Sequence, residues 1–228
     1  MVKLIGIAGG SGSGKTTFAK KLIKKVKKSV TLIHMDSYYL PEQPSHIFTN
    51  RGKPNFDHPE SFDWKLLHEH LFHLKNGNNI KCPVYDFKTS TRTNKVETIE
   101  ASGVIIFEGI FALFDSKMRD LFDINVFLHV ESDIRFTRRL NRDVQERGRS
   151  LDSVIEQYYE TVRPMHQKFL EPQKQYADFI VGEETCVAAD ILAAKILTDL
   201  DKQKSTSLLN TPNLKRELDM SHLNPPIL

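Results

Sequence analysis

The sequence predicts an α/β fold: a three-layer sandwich around a central parallel sheet, with an inserted β-hairpin lobe and an arginine-bearing helical lid. Three observations predict it. Short apolar runs at 2–7, 30–35, 104–107, 124–130 and 178–181 read as buried strands separated by stretches of helical period. The first run leads directly into Gly9-Gly10-Ser11-Gly12-Ser13-Gly14-Lys15-Thr16, which fits G-x-x-x-x-G-K-[ST] with a strand before it and a helix after it. Residues 80–102 alternate apolar and polar in patches around a polar centre, the pattern of a hairpin set into the α/β plan.

Composition narrows the class. A chain of 228 residues suits one domain with an insertion or tail better than two full domains. We therefore expect a domain over 1–202, with the hairpin at about 80–102 and the lid at about 135–150, and a loosely ordered tail over 203–228, which is rich in Ser, Thr, Asn and Pro. With 39% hydrophobic and 27% charged residues and no apolar run of spanning length, the expectation is a soluble, cytoplasmic protein with no membrane partner. A formal charge of +3 does not suggest a nucleic-acid partner. Cys82 and Cys186 have no metal-ligand spacing and read as ordinary, partly buried thiols.

Taken in order, the glycine loop comes first. Four glycines let successive N–H groups turn toward one anion, and the following helix adds its positive dipole end. Gly9 to Thr16, with Thr17, are thus expected to hold the phosphates of a nucleoside triphosphate. Lys15 would reach the terminal phosphates and Thr16 would serve Mg²⁺. Phe18, Ala19, Leu22, Ile23 and Val26 form the buried stripe of the next helix, and its lysines read as a solvated face. The strand over 30–35 should be short and buried. It ends at Asp36, which the parallel topology places on the same rim as the glycine loop.

Residues 40–60 have no period, the mark of a functional loop, and end in Asn55-Phe56-Asp57-His58-Pro59. Asp63 should cap a helix with apolar positions Trp64, Leu67, Leu71 and Leu74, on which His68, His70 and His73 read as surface residues. The strand 104–107 ends in Glu108-Gly109, a carboxylate placed to hold Mg²⁺ or its waters. After the 124–130 strand, Ser132 is expected to cap a helix with a core stripe of Phe136, Leu140 and Val144. Arg135, Arg138, Arg139 and Arg142 crowd one side of that helix, and Arg147-Gly148-Arg149 extends the charge into a loop. Like charges at such spacing repel, so this face makes sense if an anion meets it. A helix from Leu151 should break near Pro164, and the last helix should cover 188–200.

With these pieces in order the chain resembles the uridine/cytidine kinase family of P-loop nucleoside kinases over most of residues 3–200. The likeness is carried by Gly9 to Thr16, Asp36-Ser37-Tyr38-Tyr39, Asn55 to Pro59, Pro83-Val84-Tyr85-Asp86-Phe87, Phe107 to Ile110, Arg138 to Asp143, Glu146 to Arg149, Gln157-Tyr158 and Tyr176-Ala177-Asp178. The resemblance implies ATP-dependent phosphorylation of the 5′-hydroxyl of a pyrimidine ribonucleoside, with Mg²⁺ and ATP. It implies Asp36 as the base, Asp57 on the ribose hydroxyls, and Tyr39, Phe56, Tyr85 and Phe87 as the slot for the base. Arg139, Arg142, Arg147 and Arg149 would be lid arginines, Arg139 and Gln157 would also lie near the nucleoside, and Thr16, Glu108 and Asp36 would serve the metal. It also implies a homo-oligomer, a tetramer or dimer.

The chain departs from the family at Ser90, which stands where the family's histidine meets the pyrimidine edge, so uridine specificity stays open. No acidic residue near Cys186 matches the one the family places beside adenine. An alternative is a related kinase acting on another hydroxyl acceptor, such as a sugar phosphate, pantothenate or nicotinamide riboside. A guanine-reading switch would want Asn-Lys-x-Asp, and Asn94-Lys95-Val96-Glu97 ends in the wrong acid.

Overall fold

A computed structural model describes residues 2–87 and 89–209. Strand β1 (Lys3–Gly9) ends in the glycine loop, and α1 (Lys15–Val26) starts on Lys15 with Gly14 in the left-handed region at φ 89°. The chain continues through β2 (Val30–His34), α2 (Trp64–Lys75), β3 (Ile80–Asp86), β4 (Thr91–Ile99) and β5 (Val104–Glu108). It completes the domain with α3 (Ser116–Arg119), β6 (Ile124–Leu128), α4 (Ser132–Gln145), α5 (Leu151–Gln157), α6 (Arg163–Met165), β7 (Phe179–Val181) and α7 (Thr185–Leu209).

The five strands β2-β5-β1-β6-β7 form one parallel sheet, while β3 and β4 pair antiparallel as the separate hairpin lobe. Side chains alternate across the sheet, which splits the core in two. Leu4, Ala8, Ile105, Phe107 and Phe127 pack on the face that carries α2, and Ile5, Ile7, Val104, Ile106 and Val126 on the face that carries α1 and α7. Phe18, Leu22 and Val26 of α1 are buried on the second face, each contributing about 1.5–3 kcal/mol. This order puts β1 in the middle, so the glycine loop opens at the centre of the sheet's carboxyl edge. Asp63 caps α2 as expected, accepting the Leu66 N–H at 3.1 Å.

Several expectations are corrected. Strand β2 lies at the sheet edge and is half-buried, with only Ile33 fully covered, because it has a neighbour on one side alone. The lysine face of α1 stays largely exposed, and on its α7 side Lys21 donates to Thr185 Oγ1 at 2.8 Å and Lys25 pairs with Asp190, while Lys28, just past the helix, pairs with Asp201. His70 is buried and hydrogen-bonds the Tyr38 hydroxyl at 3.0 Å, and Cys186 is exposed. Glu131, not Ser132, is the N-cap of α4.

Pro164 does not break its helix. The chain passes from α5 through wide π-helical turns at Tyr158–Val162 and His166–Leu170, with α6 between them. A turn that hydrogen-bonds five residues back gives the proline ring room that an α-turn would deny it. The last helix starts three residues early and runs on to Leu209, past the expected end at 200, so the start of the expected tail is helical. The remainder of that tail, 210–228, lies outside the described residues.

Candidate active site

A cavity of about 430 Å³ opens at the carboxyl edge of the sheet, between the glycine loop, the 40–60 loop, the hairpin tip and the segment from α4 to the π-turn. Its floor is the end of the sheet. Register sets His34 of β2 beside Glu108 of β5, and Glu108 in turn beside Ile7 of β1. The Glu108 carboxylate accepts hydrogen bonds from Thr16 Oγ1 at 2.8 Å and from His34 Nδ1 at 2.7 Å. Burial works to raise the Glu108 pKa, yet His34, Lys15 and Thr16 together hold it below the ordinary carboxylate value. The same hydrogen bond raises the pKa of His34. Asp36, two residues beyond β2, faces the cavity, and its enclosure by protein, with the charge of Glu108, raises its pKa against the pull of Lys15, Arg147 and Arg142. Lys15 is buried, donates to the Gly10 carbonyl at 3.1 Å, and has its pKa lowered by burial.

The seam between the glycine loop and α4 explains two of the glycines. A Cβ on Gly10 would stand 2.6 Å from Arg135 Nη1, and one on Gly12, whose φ is +81°, would overlap the Arg135 carbonyl oxygen. Arg135 is held there by its Nε–H donating to the Val130 carbonyl at 2.9 Å. Helix α4 therefore turns an ionic face inward. Its buried residues are Arg135, Arg139 and Asp143, while Phe136 and Leu140 are half-buried and Val144 is exposed. The expected core stripe of Phe136, Leu140 and Val144 is thus corrected: the helix packs beside a loop of backbone amides and charges, where an apolar stripe has nothing to cover. Phe136 instead meets the Tyr158 ring at 4.4 Å.

The arginines divide. Arg139, Arg142, Arg147 and Arg149 line the cavity, whereas Arg138 points outward to Glu183 at 3.2 Å. Arg139 donates to Ser11 Oγ and to Gln157 Oε1, both at 2.9 Å, joining the glycine loop to α5. Arg149 also donates to Gln157 Oε1. Across the mouth, Arg51 and Lys53 of the 40–60 loop both pair with Glu156 of α5.

At the other end Tyr39, Phe56, Tyr85 and Phe87 form a chain of ring contacts, with centroids 5.3 Å apart for Tyr39 and Phe56, 5.0 Å for Tyr39 and Tyr85, and 5.2 Å for Tyr85 and Phe87. The Arg147 guanidinium lies over the Phe87 ring at 4.4 Å. Ser90 borders this slot with a left-handed φ of 55° and hydrogen-bonds Tyr85, whose phenol is pushed up to about 12, mainly by burial. Asp57 is buried, and its Oδ2 accepts from Thr161 Oγ1 at 2.8 Å.

Of the residues singled out from the sequence, Ser11, Lys15, Thr16, Asp36, Tyr39, Phe56, Asp57, Tyr85, Phe87, Ser90, Glu108, Arg139, Arg142, Arg147, Arg149 and Gln157 all border the one cavity. Gly9, Gly10, Gly12, Ser13 and Gly14 shape the loop around it, and Thr17, exposed in the first turn of α1, is not among the residues that line it. Sequence reasoning missed His34, Thr161 and the central place of Asp143. Each acts on a partner far away in the chain or through a helix face read the wrong way round, and no local pattern marks it.

Residues 4–189 match the phosphoribulokinase/uridine kinase family. The chain is 48% identical over 203 residues to a uridine kinase of Halalkalibacterium halodurans, covering 88% of this chain and 96% of that one. It is 46% identical over 205 residues to a uridine kinase of Clostridium novyi, covering 88% and 98%. Among solved structures, phosphoribulokinase from Rhodobacter spheroides superposes with a TM-score of 0.56 at 14% identity, covering 79% of this chain and 70% of that one, a likeness of fold alone. On the family match and the two long alignments, this chain belongs to the phosphoribulokinase/uridine kinase family and is a phosphotransferase.

Proposed function

We propose that this protein transfers the γ-phosphoryl group of ATP to the 5′-hydroxyl of uridine or cytidine. The identity to proteins named uridine kinase along nearly their whole length supports the acceptor class. The observation that carries the chemistry is the place of Asp36, in the wall shared by the glycine loop and the aromatic slot. In this reading the triphosphate lies along the loop amides with Lys15 turned to its terminal phosphates, and the nucleoside fills the slot with its ribose on Asp57. The 5′-oxygen attacks the γ-phosphorus, the bond from that phosphorus to the bridging oxygen breaks, and the hydroxyl proton passes to the Asp36 carboxylate. A raised pKa suits a carboxylate to that role. Arg142 and Arg147 offset charge on the transferring oxygens, and Arg149 lies on the ATP side.

Thr16 Oγ1, Glu108 and Asp36 make an all-oxygen donor set of the kind Mg²⁺ prefers. The two carboxylates work against each other, since Glu108 raises the pKa of Asp36, and a bound dication relieves that conflict. When bound with ATP, Mg²⁺ neutralises the β- and γ-phosphate oxygens. Asp57 offers paired acceptors to the two ribose hydroxyls, and Thr161 fixes its orientation. Arg139 and Gln157 border the nucleoside, and Ser90 reaches the edge of the base directly or through water.

A panel of hydroxyl acceptors with labelled ATP tests the proposal. Transfer to uridine and cytidine is the expected result; transfer only to a sugar phosphate, pantothenate or nicotinamide riboside would refute the acceptor assignment.

A further inference from the structure

Asp143 stands on the inner face of α4 with 0% of its side chain exposed, and four guanidinium groups converge on it. Arg142 Nη2 lies 2.8 Å from Oδ1 and Arg147 Nη1 3.4 Å, while Arg139 Nε lies 3.5 Å from Oδ2 and Arg149 Nη1 3.8 Å. The backbone joins in, because the Arg149 N–H donates to the Asp143 carbonyl at 3.1 Å and folds the 146–150 loop back over the end of the helix. All four arginines border the cavity, and through them Asp143 reaches three of its walls: Ser11 of the glycine loop and Gln157 of α5 by way of Arg139, and Phe87 of the hairpin tip by way of Arg147.

Left alone, such a cluster would spread. Like charges brought this close repel one another, enough to swing long side chains out into water. One buried carboxylate at the centre holds them inward without neutralising them all, so the cluster keeps a net positive charge facing the cavity. The hold is not saturated. Among the described residues neither Asp143 Oδ2 nor Arg139 Nε has a hydrogen-bond partner, so this pair attracts across 3.5 Å without being aligned. The group is compact but keeps unused capacity to tighten.

We propose that Asp143 is the positioning residue of the phosphate-facing arginines: it directs the four guanidinium groups and keeps the loop that carries Arg147 and Arg149 folded onto α4, so that the triphosphate meets a prearranged clamp. The proposal rests on the kinase reading of the cavity given above. Asp143 touches neither substrate in this account and acts only through the arginines. The aligned donors then do not have to be collected during the reaction, which is where electrostatic stabilisation of transferring phosphates gains most.

The test compares Asp143→Asn, which keeps the shape and removes the charge, with Arg142→Gln, Arg147→Gln and the double variant Asp143→Asn/Arg147→Gln. Steady-state rates are measured against both ATP and uridine, with thermal melting alongside. If Asp143 acts through the arginines, Asp143→Asn lowers kcat about 10- to 100-fold and raises the KM for ATP, while the KM for uridine, which only Arg139 of the four borders, rises by a smaller factor than the KM for ATP. In its background Arg147→Gln then costs no more than about fivefold, against about 100-fold alone, because the residue has already lost its aim. A kcat within about threefold of the parent, or losses that simply multiply in the double variant, overturns the proposal. If Asp143→Asn does not fold, Asp143→Glu, which keeps the charge and displaces it by one methylene, is held to the same criteria. Failure of the underlying reading looks different: Arg142→Gln and Arg147→Gln would then leave kcat unchanged, whatever Asp143→Asn does.

Discussion

The wall of the cavity that belongs to the sheet and the wall that belongs to α4 and its loop are held by different forces. On the sheet side, position follows from backbone. Strand register fixes Glu108 next to His34, the glycine loop leaves β1 and enters α1 within five residues, and Asp36 follows β2 in a single 3₁₀ turn. On the α4 side position follows from charge, with four arginines gathered on one buried carboxylate and a loop tied back by one backbone hydrogen bond. A backbone-built wall resists small changes because many hydrogen bonds fix each atom. A charge-built wall can be released by one substitution and can tighten when an anion arrives. In the proposed reaction the first kind suits the site of proton removal, the second the part that would follow phosphates as charge moves among them.

The sharpest way to break this contrast is at Asp36. Asp36→Asn keeps the backbone wall intact and removes the carboxylate proposed to take the proton and to help hold Mg²⁺, so kcat should fall by about 10³-fold while ATP affinity stays within a few-fold, as read by steady-state kinetics and calorimetry. Near-normal turnover would mean that the sheet wall positions substrate without taking the proton. At the seam where the two walls meet, Gly12→Ala tests them together. A methyl there strains a positive φ and collides with the Arg135 backbone. We expect a loss of about 2–4 kcal/mol in urea unfolding and a rise of about 100-fold in the KM for ATP. A well-folded variant with unchanged ATP binding would separate α4 from the phosphate site.

The two walls also differ in how far the sequence disclosed them. The glycine loop, the strand ends and the acid that closes β5 were legible because each is a local statement: a conformation that favours glycine, or a carboxylate one residue past an apolar run. The aromatic slot and Asp57 were legible only through the family resemblance, since nothing in a period marks them. The inward face of α4 was misread for a definite reason. Phe136, Leu140 and Val144 keep the spacing of a buried stripe, and periodicity assumes that the neighbour is apolar; here the neighbour is the glycine loop, so Arg135, Arg139 and Asp143 go inside. Pro164 misled in a similar way, because the rule for α-helices does not govern the π-turns that surround it. The contact between Thr161 and Asp57 spans 104 positions and comes from those same turns, so no window of sequence contains it.

That contact gives a gentler test, confined to the acceptor end. Asp57→Ala should raise the KM for the nucleoside by about 100-fold with little change in the KM for ATP, whereas Thr161→Val, which leaves the carboxylate present but unaimed, should raise it by about 5- to 10-fold. Equal effects would mean that Thr161 does more than orient Asp57. No effect from Asp57→Ala would remove it from the ribose.

The smallest effect concerns His166, which lies in the second π-turn and feels the charges of both walls. Burial, reinforced by Arg135, pulls its pKa down to about 4, against the opposing influence of Glu171, whose carboxylate accepts from His166 Nε2 at 3.1 Å. The folded value lies below the unfolded value of about 6.5. As pH falls through about 6.5 the unfolded chain therefore takes up a proton that the folded one refuses, and stability declines until the folded form also protonates near about 4. Solvent reaches part of the His166 ring and screens the charges around it, so the loss is on the order of 2 kcal/mol rather than the full value of the shift. His166→Gln keeps a donor for Glu171 and removes the titration, so its stability relative to the parent in urea should improve by about 1–2 kcal/mol between pH 7.5 and pH 5. A difference that does not change with pH would show that the charged wall exerts no such strain on its neighbour, and that Arg135 is already balanced by groups other than His166.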